Sequence, residues 1–393
     1  MAADFGELSR AEEGAGRVNI FDLGLISAAH GVSDGYTNLI LPLLPLVVAE
    51  FGLDPFGAGL IVSALSFGTL LFQYPLSVLS DYTGRRRTIL VAGLGLAGVS
   101  FLGVALTRSY WPLVALSLLA GAGNSVYHAS GTALVAERFA ARRGFCIGIH
   151  GLGGNVGTSL LPLAAGALAS VVSWRAVLAI CVVPALLLLP ILAVRFSDAA
   201  RSGPRSAGRR GGLSVAGLQG RVFRNPAVLL LAVVYTLRGL GVKGMIAFLP
   251  LLASQELGMG TRAIGLAVAC YFATGAVCKP ILGALYDRTG PRLALAIAMA
   301  GMGLFTLLLG WTPWAWAVFP LTVLLGMVSF VSPLVLTAVA DLAEEGALAS
   351  SVGLIYTLHS LNFLSPLIGG WIALAFHLRV SFAFFALMAL LSA

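Results

Sequence analysis

Charged residues are scarce in this sequence. Asp, Glu, Lys and Arg make up 10% of its 393 residues, where a soluble globular domain carries about 25%. Its 24 basic and 16 acidic side chains are too few to cover a water-facing surface of this size. Soluble enzymes, nucleic-acid binders and secreted scaffolds are excluded on that ground. Cysteine is also scarce. Cys146, Cys181, Cys270 and Cys278 fall in apolar stretches without CxxC or Cys/His metal spacing, and read as small buried hydrophobes. Lysine occurs only at Lys243 and Lys279. There is no G-x4-G-K-[ST] phosphate loop, and no HExxH, GxSxG or paired catalytic carboxylates in a suitable context. Neither ATP, another cofactor nor enzymatic activity is expected.

What is abundant is apolar length. Hydrophobic residues make up 59% of the chain, and mean hydropathy is +0.96. A bilayer-crossing helix needs about 20 apolar residues. Such stretches run over 19–49, 55–80, 88–106, 112–136, 144–170, 175–195, 227–253, 261–285, 293–311, 315–340, 350–376 and 380–393. The expected fold is all-α and integral to the membrane, with twelve spans in two six-helix bundles. Residues 1–195 form the first bundle, 196–226 a polar linker and 227–393 the second. The last span is expected to be short or truncated. The first apolar stretch is too long for a signal-peptide core and lacks a small-residue cleavage site, so it is read as a retained helix.

Basic residues cluster on alternate loops. With the N-terminus inside, inner loops and tails hold 17 of the 24, outer loops hold four (Arg108, Arg175, Arg262 and Arg379), and three lie within spans. Lys/Arg bias sets orientation, so both termini are expected in the cytoplasm of a bacterial-type inner membrane. The net charge of +8 is then mainly a topology signal. The Gly-, Ser- and Arg-rich linker reads as flexible chain near anionic lipid headgroups.

The two halves repeat each other. Glu50, Gly52, Gly59, Asp81, Gly84 and Arg86 recur 206 residues later as Glu256, Gly258, Gly265, Asp287, Gly290 and Arg292, and Pro45 and Arg175 recur at Pro250 and Arg379 with small shifts. Parallel repeats of this kind place a substrate path at their interface, near the bilayer midplane.

The loops after spans 2 and 8 read Ser77-x3-Asp81-x2-Gly84-Arg85-Arg86 and Gly283-x3-Asp287-Arg288-x-Gly290-Pro291-Arg292. This pattern resembles the cytoplasmic loop motif of the major facilitator superfamily, although Ser77 stands where the family usually has Gly. The resemblance implies a gate in which Asp81 meets the start of span 11 and Asp287 the start of span 5. Asp341, Glu344 and Glu345, in a loop without basic residues, are candidates to pair with Arg85, Arg86 and Arg87 when the protein faces outward.

A closer resemblance covers spans 1, 4 and 5, in SAAHGVSDGYTNLILPLLPLVVAEF, GAGNSVYHASGTALVAERFAARRGF and GLGGNVGTSLLPL. These are similar to the fosmidomycin resistance protein branch, which implies drug efflux by proton antiport. Ala129 and Ser130 stand where that branch has Pro-Glu after the span 4 histidine.

Four charged residues fall well inside spans. Asp34 lies near the middle of span 1, where a charge costs about 3 kcal/mol on insertion scales. His30 and Asn38 share its helix face. With His128 on span 4, Asp34 and His30 form either a proton site or a divalent-metal site, or else a polar network that fixes helix packing. Asn124 on span 4 and Asn155 on span 5 are further polar candidates. In the second half, Arg238 and Lys243 flank a glycine-rich stretch expected to weaken or break span 7. They are expected to face a central cavity and an anionic substrate group, beside Tyr235, Tyr356, His359 and Asn362. Lys279 reads as a lysine that reaches to the interface.

The expected function is secondary transport by alternating access, as proton-coupled efflux of a small amphipathic or anionic solute. A divalent-metal exporter and a non-transporting sensor or scaffold are the alternatives. Expected partners are the solute, protons and membrane lipids, with no nucleic acid. The protein is expected to be monomeric, with no resident metal.

Overall fold

The structure, a computed structural model, describes residues 18–198, 223–343 and 348–393. Span 1 covers Ile20–Phe51, as a helix to Tyr36, a short 3-10 turn at Leu41–Leu43 and a second helix from Leu44. The break coincides with Pro42 and Pro45, whose rings remove backbone donors. Spans 2 and 3 are Pro55–Thr83 and Arg86–Leu106. Span 4 is Tyr110–Ser125 and Tyr127–Arg138, interrupted at Val126. Spans 5 and 6 are Arg143–Leu168 and Trp174–Arg195. Span 7 is Pro226–Leu251, extended by a π turn at Leu252–Glu256. Spans 8 and 9 lie within Thr261–Trp311, divided where Gly290 leaves helical geometry. Span 10 is Val318–Ser329 and Ser332–Leu342, span 11 is Leu348–His359 and Leu364–Ala375, and span 12 is Leu378–Leu391.

Among the described residues, eight helical stretches are long and apolar enough by themselves to cross a membrane. One of them contains spans 8 and 9. Spans 4, 5 and 12 complete the expected twelve.

One expectation fails. Span 7 does not break at its glycines; it stays helical through Arg238-Gly-Leu-Gly-Val-Lys243-Gly. In a bilayer an unsatisfied backbone group costs several kcal/mol, which outweighs the weak helix propensity of glycine. The glycines serve packing instead. A Cβ on Gly244 would meet Phe385 of span 12, and one on Gly239 would meet His359 of span 11.

The repeat has a physical basis. The positive-φ glycines among the described residues are Gly52, Gly84, Gly258 and Gly290, two repeat pairs at two equivalent turns. Left-handed backbone there suits glycine, which has no Cβ to clash. The pair Glu50 and Arg175 also recurs as a contact. Arg175 bridges Glu50 at 2.9 Å and donates to the Thr107 carbonyl at 2.7 Å. Arg379 bridges Glu256 at 3.1 Å and donates to the Thr312 carbonyl at 3.0 Å.

The halves meet along a seam made of backbone. A Cβ on Gly59 would lie 2.2 Å from the Pro366 carbonyl oxygen, and one on Gly265 would lie 2.7 Å from that of Pro162. Gly370 and Gly166 face the carbonyls of Pro55 and Thr261 in the same way, at 2.6 and 2.5 Å. These four contacts are two symmetric pairs, joining span 2 to span 11 and span 5 to span 8. All lie towards the end of the molecule that carries Gly52 and Gly258.

Candidate functional site

In the first half, span 1 is pressed onto span 5 by small residues. The Gly31 carbonyl would lie 1.8 Å from a Cβ on Gly157. This approach brings His30 and Asp34 against span 5, and the turn at Val126 brings His128 in from span 4. His30 Nδ1 lies 2.8 Å from the His150 carbonyl. A carbonyl can only accept, so Nδ1 donates. His30 Nε2 then faces Asp34 Oδ2 at 3.3 Å and His128 Nδ1 at 3.3 Å. The second Asp34 oxygen, Oδ1, faces His128 Nε2 at 3.4 Å.

This geometry fixes a proton count. If neither His30 Nε2 nor Asp34 carried a proton, two lone pairs would face each other at 3.3 Å. One excess proton satisfies the whole cluster. Nε2–H of His30 then donates towards Asp34 and His128 Nδ1, and Nε2–H of His128 donates to Asp34. The surroundings hold this arrangement in place. Tyr127 stacks on His30 and donates to the Ile26 carbonyl at 2.6 Å. His150 stacks on His30 from the other side, with ring centroids 4.2 Å apart, and its own ring nitrogens are buried without a partner. Gly154 has no side chain to fill the site; a Cβ there would lie 2.5 Å from Asp34 Oδ2. His30 is buried, while the His128 side chain is 55% exposed, so the cluster has one open side.

In the second half no carboxylate balances the equivalent place among the described residues. Arg238 is buried, donates to the Ser329 carbonyl where span 10 breaks, and has its Nε unpartnered. Its guanidinium lies 5.3 Å from the Tyr235 ring centroid. Tyr235 stacks on His359 at 4.0 Å and meets Tyr356 edge-on at 6.1 Å. His359 Nδ1 donates to the Tyr235 carbonyl at 2.9 Å, and Asn362 Nδ2 lies 3.3 Å from His359 Nε2. Lys243 lies on the same helix, partly buried. The expected set Arg238, Tyr235, Tyr356, His359 and Asn362 therefore comes together.

Other expected residues do not join these clusters. Asn38 donates to its neighbour Thr37 at 3.0 Å. Asn124 is buried with neither side-chain polar atom hydrogen-bonded. Asn155 instead bridges the halves by accepting from Lys279 Nζ at 2.9 Å. Lys279 does not reach to the interface as expected; its ammonium also lies over the Phe330 ring at 5.5 Å. The hydrogen bond holds it inside.

At the Gly84 and Gly290 end, Arg86 and its neighbour Arg87 pair within the first half. Arg86 bridges Glu137. Arg87 bridges Asp198 at 3.3 Å. Arg85 precedes span 3 and is exposed. Asp287 and Arg292 are exposed, and Asp341 accepts from Tyr286 Oη at 3.0 Å. Glu344, Glu345 and the side chain of Asp81 lie outside the described residues.

Sequence reading missed two polar clusters. Asp22 is fully buried and is held by Arg195 at 2.6 Å and Arg138 at 2.9 Å. Its place at the start of a span made it look like a helix-end charge. Asp198 accepts from the Thr88 backbone and hydroxyl at 3.1 and 2.5 Å. Burial alone would raise its pKa. The hydrogen bonds from Thr88 and the charge of Arg87 more than offset that and hold it below the usual carboxylate value.

Comparisons with known proteins agree with this architecture. A family model described as the Major Facilitator Superfamily matches residues 26–261 and 231–393. The nitrite extrusion protein of Bacillus subtilis is 25% identical over 243 residues, which are 62% of this chain and 59% of that protein. Multidrug resistance protein MdtG of Citrobacter koseri is 29% identical over 361 residues, 88% of this chain and 86% of that protein. The fosmidomycin resistance protein of Escherichia coli is 31% identical over 147 residues, 36% of this chain and 35% of that protein. The matches to the nitrite extrusion and fosmidomycin resistance proteins thus span less than two thirds of those relatives. Among solved structures, a bacterial homolog of the human lysosomal transporter Spinster, inward-facing and unoccupied, superposes with a TM-score of 0.81 at 16% identity, covering 95% of each chain. The nucleoside transporter NupG superposes at 0.80 with 11% identity, covering 94% of this chain and 97% of the other. At these identities the likeness is one of fold.

Proposed function

The chain belongs to the major facilitator superfamily and is a multi-pass membrane transporter, and from that premise we propose that it exports a small amphipathic or anionic solute in exchange for protons. It acts as a monomer in a bacterial inner membrane, with both termini in the cytoplasm. Residues up to 195 and from 227 form the two rocking bodies, joined by the 196–226 linker. The observation that carries this reading is the proton arithmetic at Asp34. An intramembrane carboxylate set between two histidines is satisfied by one added proton and left with opposed lone pairs without it. Groups that face Asp34 are His30 on its own span, Tyr127 and His128 on span 4, His150 on span 5 and Lys279 on span 8.

With the seam closed at the Gly52 and Gly258 end, access in this reading is from the cytoplasmic end. The solute enters from there and meets Arg238 and Lys243, whose charge no described carboxylate balances. Arrival of a proton from the far side during the outward-facing half-cycle restores the Asp34 network. One proton crossing 100 mV supplies about 2.3 kcal/mol, enough for a roughly 50-fold solute gradient. The loop acids Asp341, Glu344 and Glu345 latch onto Arg85, Arg86 and Arg87 when the cytoplasmic end closes, while Asp81 meets the start of span 11 and Asp287 the start of span 5. The fosmidomycin resistance, multidrug resistance and nitrite extrusion relatives support the efflux direction and a substrate range that includes anions.

The test is Asp34→Asn in inverted membrane vesicles. Proton-driven uptake should be abolished while counterflow exchange of solute continues. Proton coupling that survives unchanged in this variant overturns the assignment.

A further inference from the structure

The cluster of His30, Asp34 and His128 has a second chemical reading that proton exchange does not require. We propose that it is an exchangeable binding site for a divalent transition-metal ion of the zinc class, open to the cavity. One ligand atom from each of the three residues lies within 4.8 Å of the others. The separations are 3.3 Å from His30 Nε2 to Asp34 Oδ2 and 3.4 Å from His128 Nε2 to Asp34 Oδ1. Zinc binds imidazole nitrogen and carboxylate oxygen at about 2.0–2.2 Å. Two such ligands at a tetrahedral angle are separated by about 3.3–3.4 Å. The two histidine–carboxylate pairs already stand at that spacing, and the third pair lies within 4.8 Å.

Three further features suit a metal better than a packing network. First, His30 donates Nδ1–H to the His150 carbonyl. This outer contact fixes the tautomer of a metal-bound histidine and presents its Nε2 lone pair. Second, Gly154 keeps the space beside Asp34 Oδ2 and His30 Nε2 free of side-chain atoms. Third, the ligand count is three, and the half-exposed His128 leaves a direction open to the cavity. Three protein ligands with one open position characterise exchangeable zinc sites, whereas closed structural sites use four. Two imidazoles with one carboxylate favour zinc, nickel or copper over magnesium or calcium.

A metal at this place uses the lone pairs that otherwise hold the shared proton, so its binding releases protons. The ion is therefore a competitor of the proton at the cavity face. The proposal rests on ligand geometry and is measured as binding. It stands or falls separately from the transport reading, because a failure of Asp34→Asn to uncouple transport leaves metal binding untouched.

The experiment titrates the full chain, purified without a histidine tag, with Zn2+ by calorimetry and with Co2+ by visible absorption. Wild-type protein should bind one Zn2+ per chain and give the intense visible bands of tetrahedral cobalt. His128→Gln and Asp34→Asn should each weaken binding by at least about 10–100-fold and remove the cobalt bands. His377→Gln, on a separate surface beside Glu256, should leave both unchanged. Thermal unfolding without metal should show that all variants remain folded. Binding that persists in both His128→Gln and Asp34→Asn, or that is lost in His377→Gln, overturns the proposal. So does cobalt bound only in weakly absorbing octahedral form.

Discussion

The two halves share one scaffold and carry opposite chemistry. Each has a left-handed glycine at the same two turns, and each has a Glu–Arg bridge capped by a threonine carbonyl. Inside that frame, the first half buries an acid between histidines, and the second buries an arginine with an unpartnered Nε over a tyrosine ring. The repeat thus holds in what turns and braces the chain, while the polar clusters of the two halves differ. The packing of the first span of each half differs as well. Span 1 meets span 5 through backbone, with the Gly31 carbonyl in the place of a Gly157 side chain, whereas span 7 meets span 11 through the His359 ring at Gly239.

That difference gives the largest expected effect. Gly157→Ala should destabilise the protein by about 3 kcal/mol, the upper end of overpacking costs, because a helix backbone must retreat. Gly239→Ala should cost less, because what has to shift is the His359 ring, held by a hydrogen bond and by stacking on Tyr235, rather than a backbone, and alanine gains about 1 kcal/mol of helix propensity. Thermal unfolding in detergent compares the two, and equal losses would remove the distinction. Next comes the division of labour. Arg238→Gln should weaken binding of an anionic solute by about tenfold, roughly 1.4 kcal/mol, and leave the number of protons moved per solute unchanged. Altered stoichiometry with intact affinity would merge the two roles. Smaller still, Glu50→Gln and Glu256→Gln should each cost at most about 1 kcal/mol, as partly exposed ion pairs do, and by similar amounts. A large inequality would show that the braces are not equivalent.

The smallest effect is a pH dependence confined to the first half. Asp198 titrates below its ordinary value of 3.8 in the folded chain. Its contribution is therefore complete above that value and is lost as pH falls through the lower, folded one. Asp198→Asn should flatten the acid limb of a stability–pH curve by lowering stability at neutral pH, with little change at low pH, where the wild-type contribution is already lost. An acid limb of unaltered slope would show that Thr88 and Arg87 do not favour the ionised form.

The fold was legible because bilayer physics writes itself into runs of apolar residues and loop charge, and because Glu50, Gly52, Gly59 and Gly84 repeat at fixed distance. The repeat pointed to residues without saying what they do. Gly59 and Gly265 turn out to be cross-half contacts, and Glu50 and Arg175 turn out to be partners. Asp34, His30 and His128 could be named from sequence because a charge at mid-span is conspicuous. Their mutual distances could not, since they depend on how spans 1, 4 and 5 pack together, which no local pattern announces. Lys279 was misread because its partner, Asn155, lies 124 positions away. Asp22 was overlooked because burial at a helix end leaves no mark in the hydropathy pattern. The glycines of span 7 misled because propensity in water is a poor guide where every backbone donor must be satisfied.

The seam between the halves bears on the energy economy of the membrane around it. Four of its contacts set a carbonyl oxygen against a glycine, so at those points no side chain has to leave or enter when the halves part. Such a joint closes without selecting for anything that passes through it, and its tightness depends only on how near two backbones can come. Any added atom holds it ajar. Gly59→Ala or Gly265→Ala should therefore act less on solute recognition than on idle permeability, making the transporter a slow drain on the voltage across the bilayer.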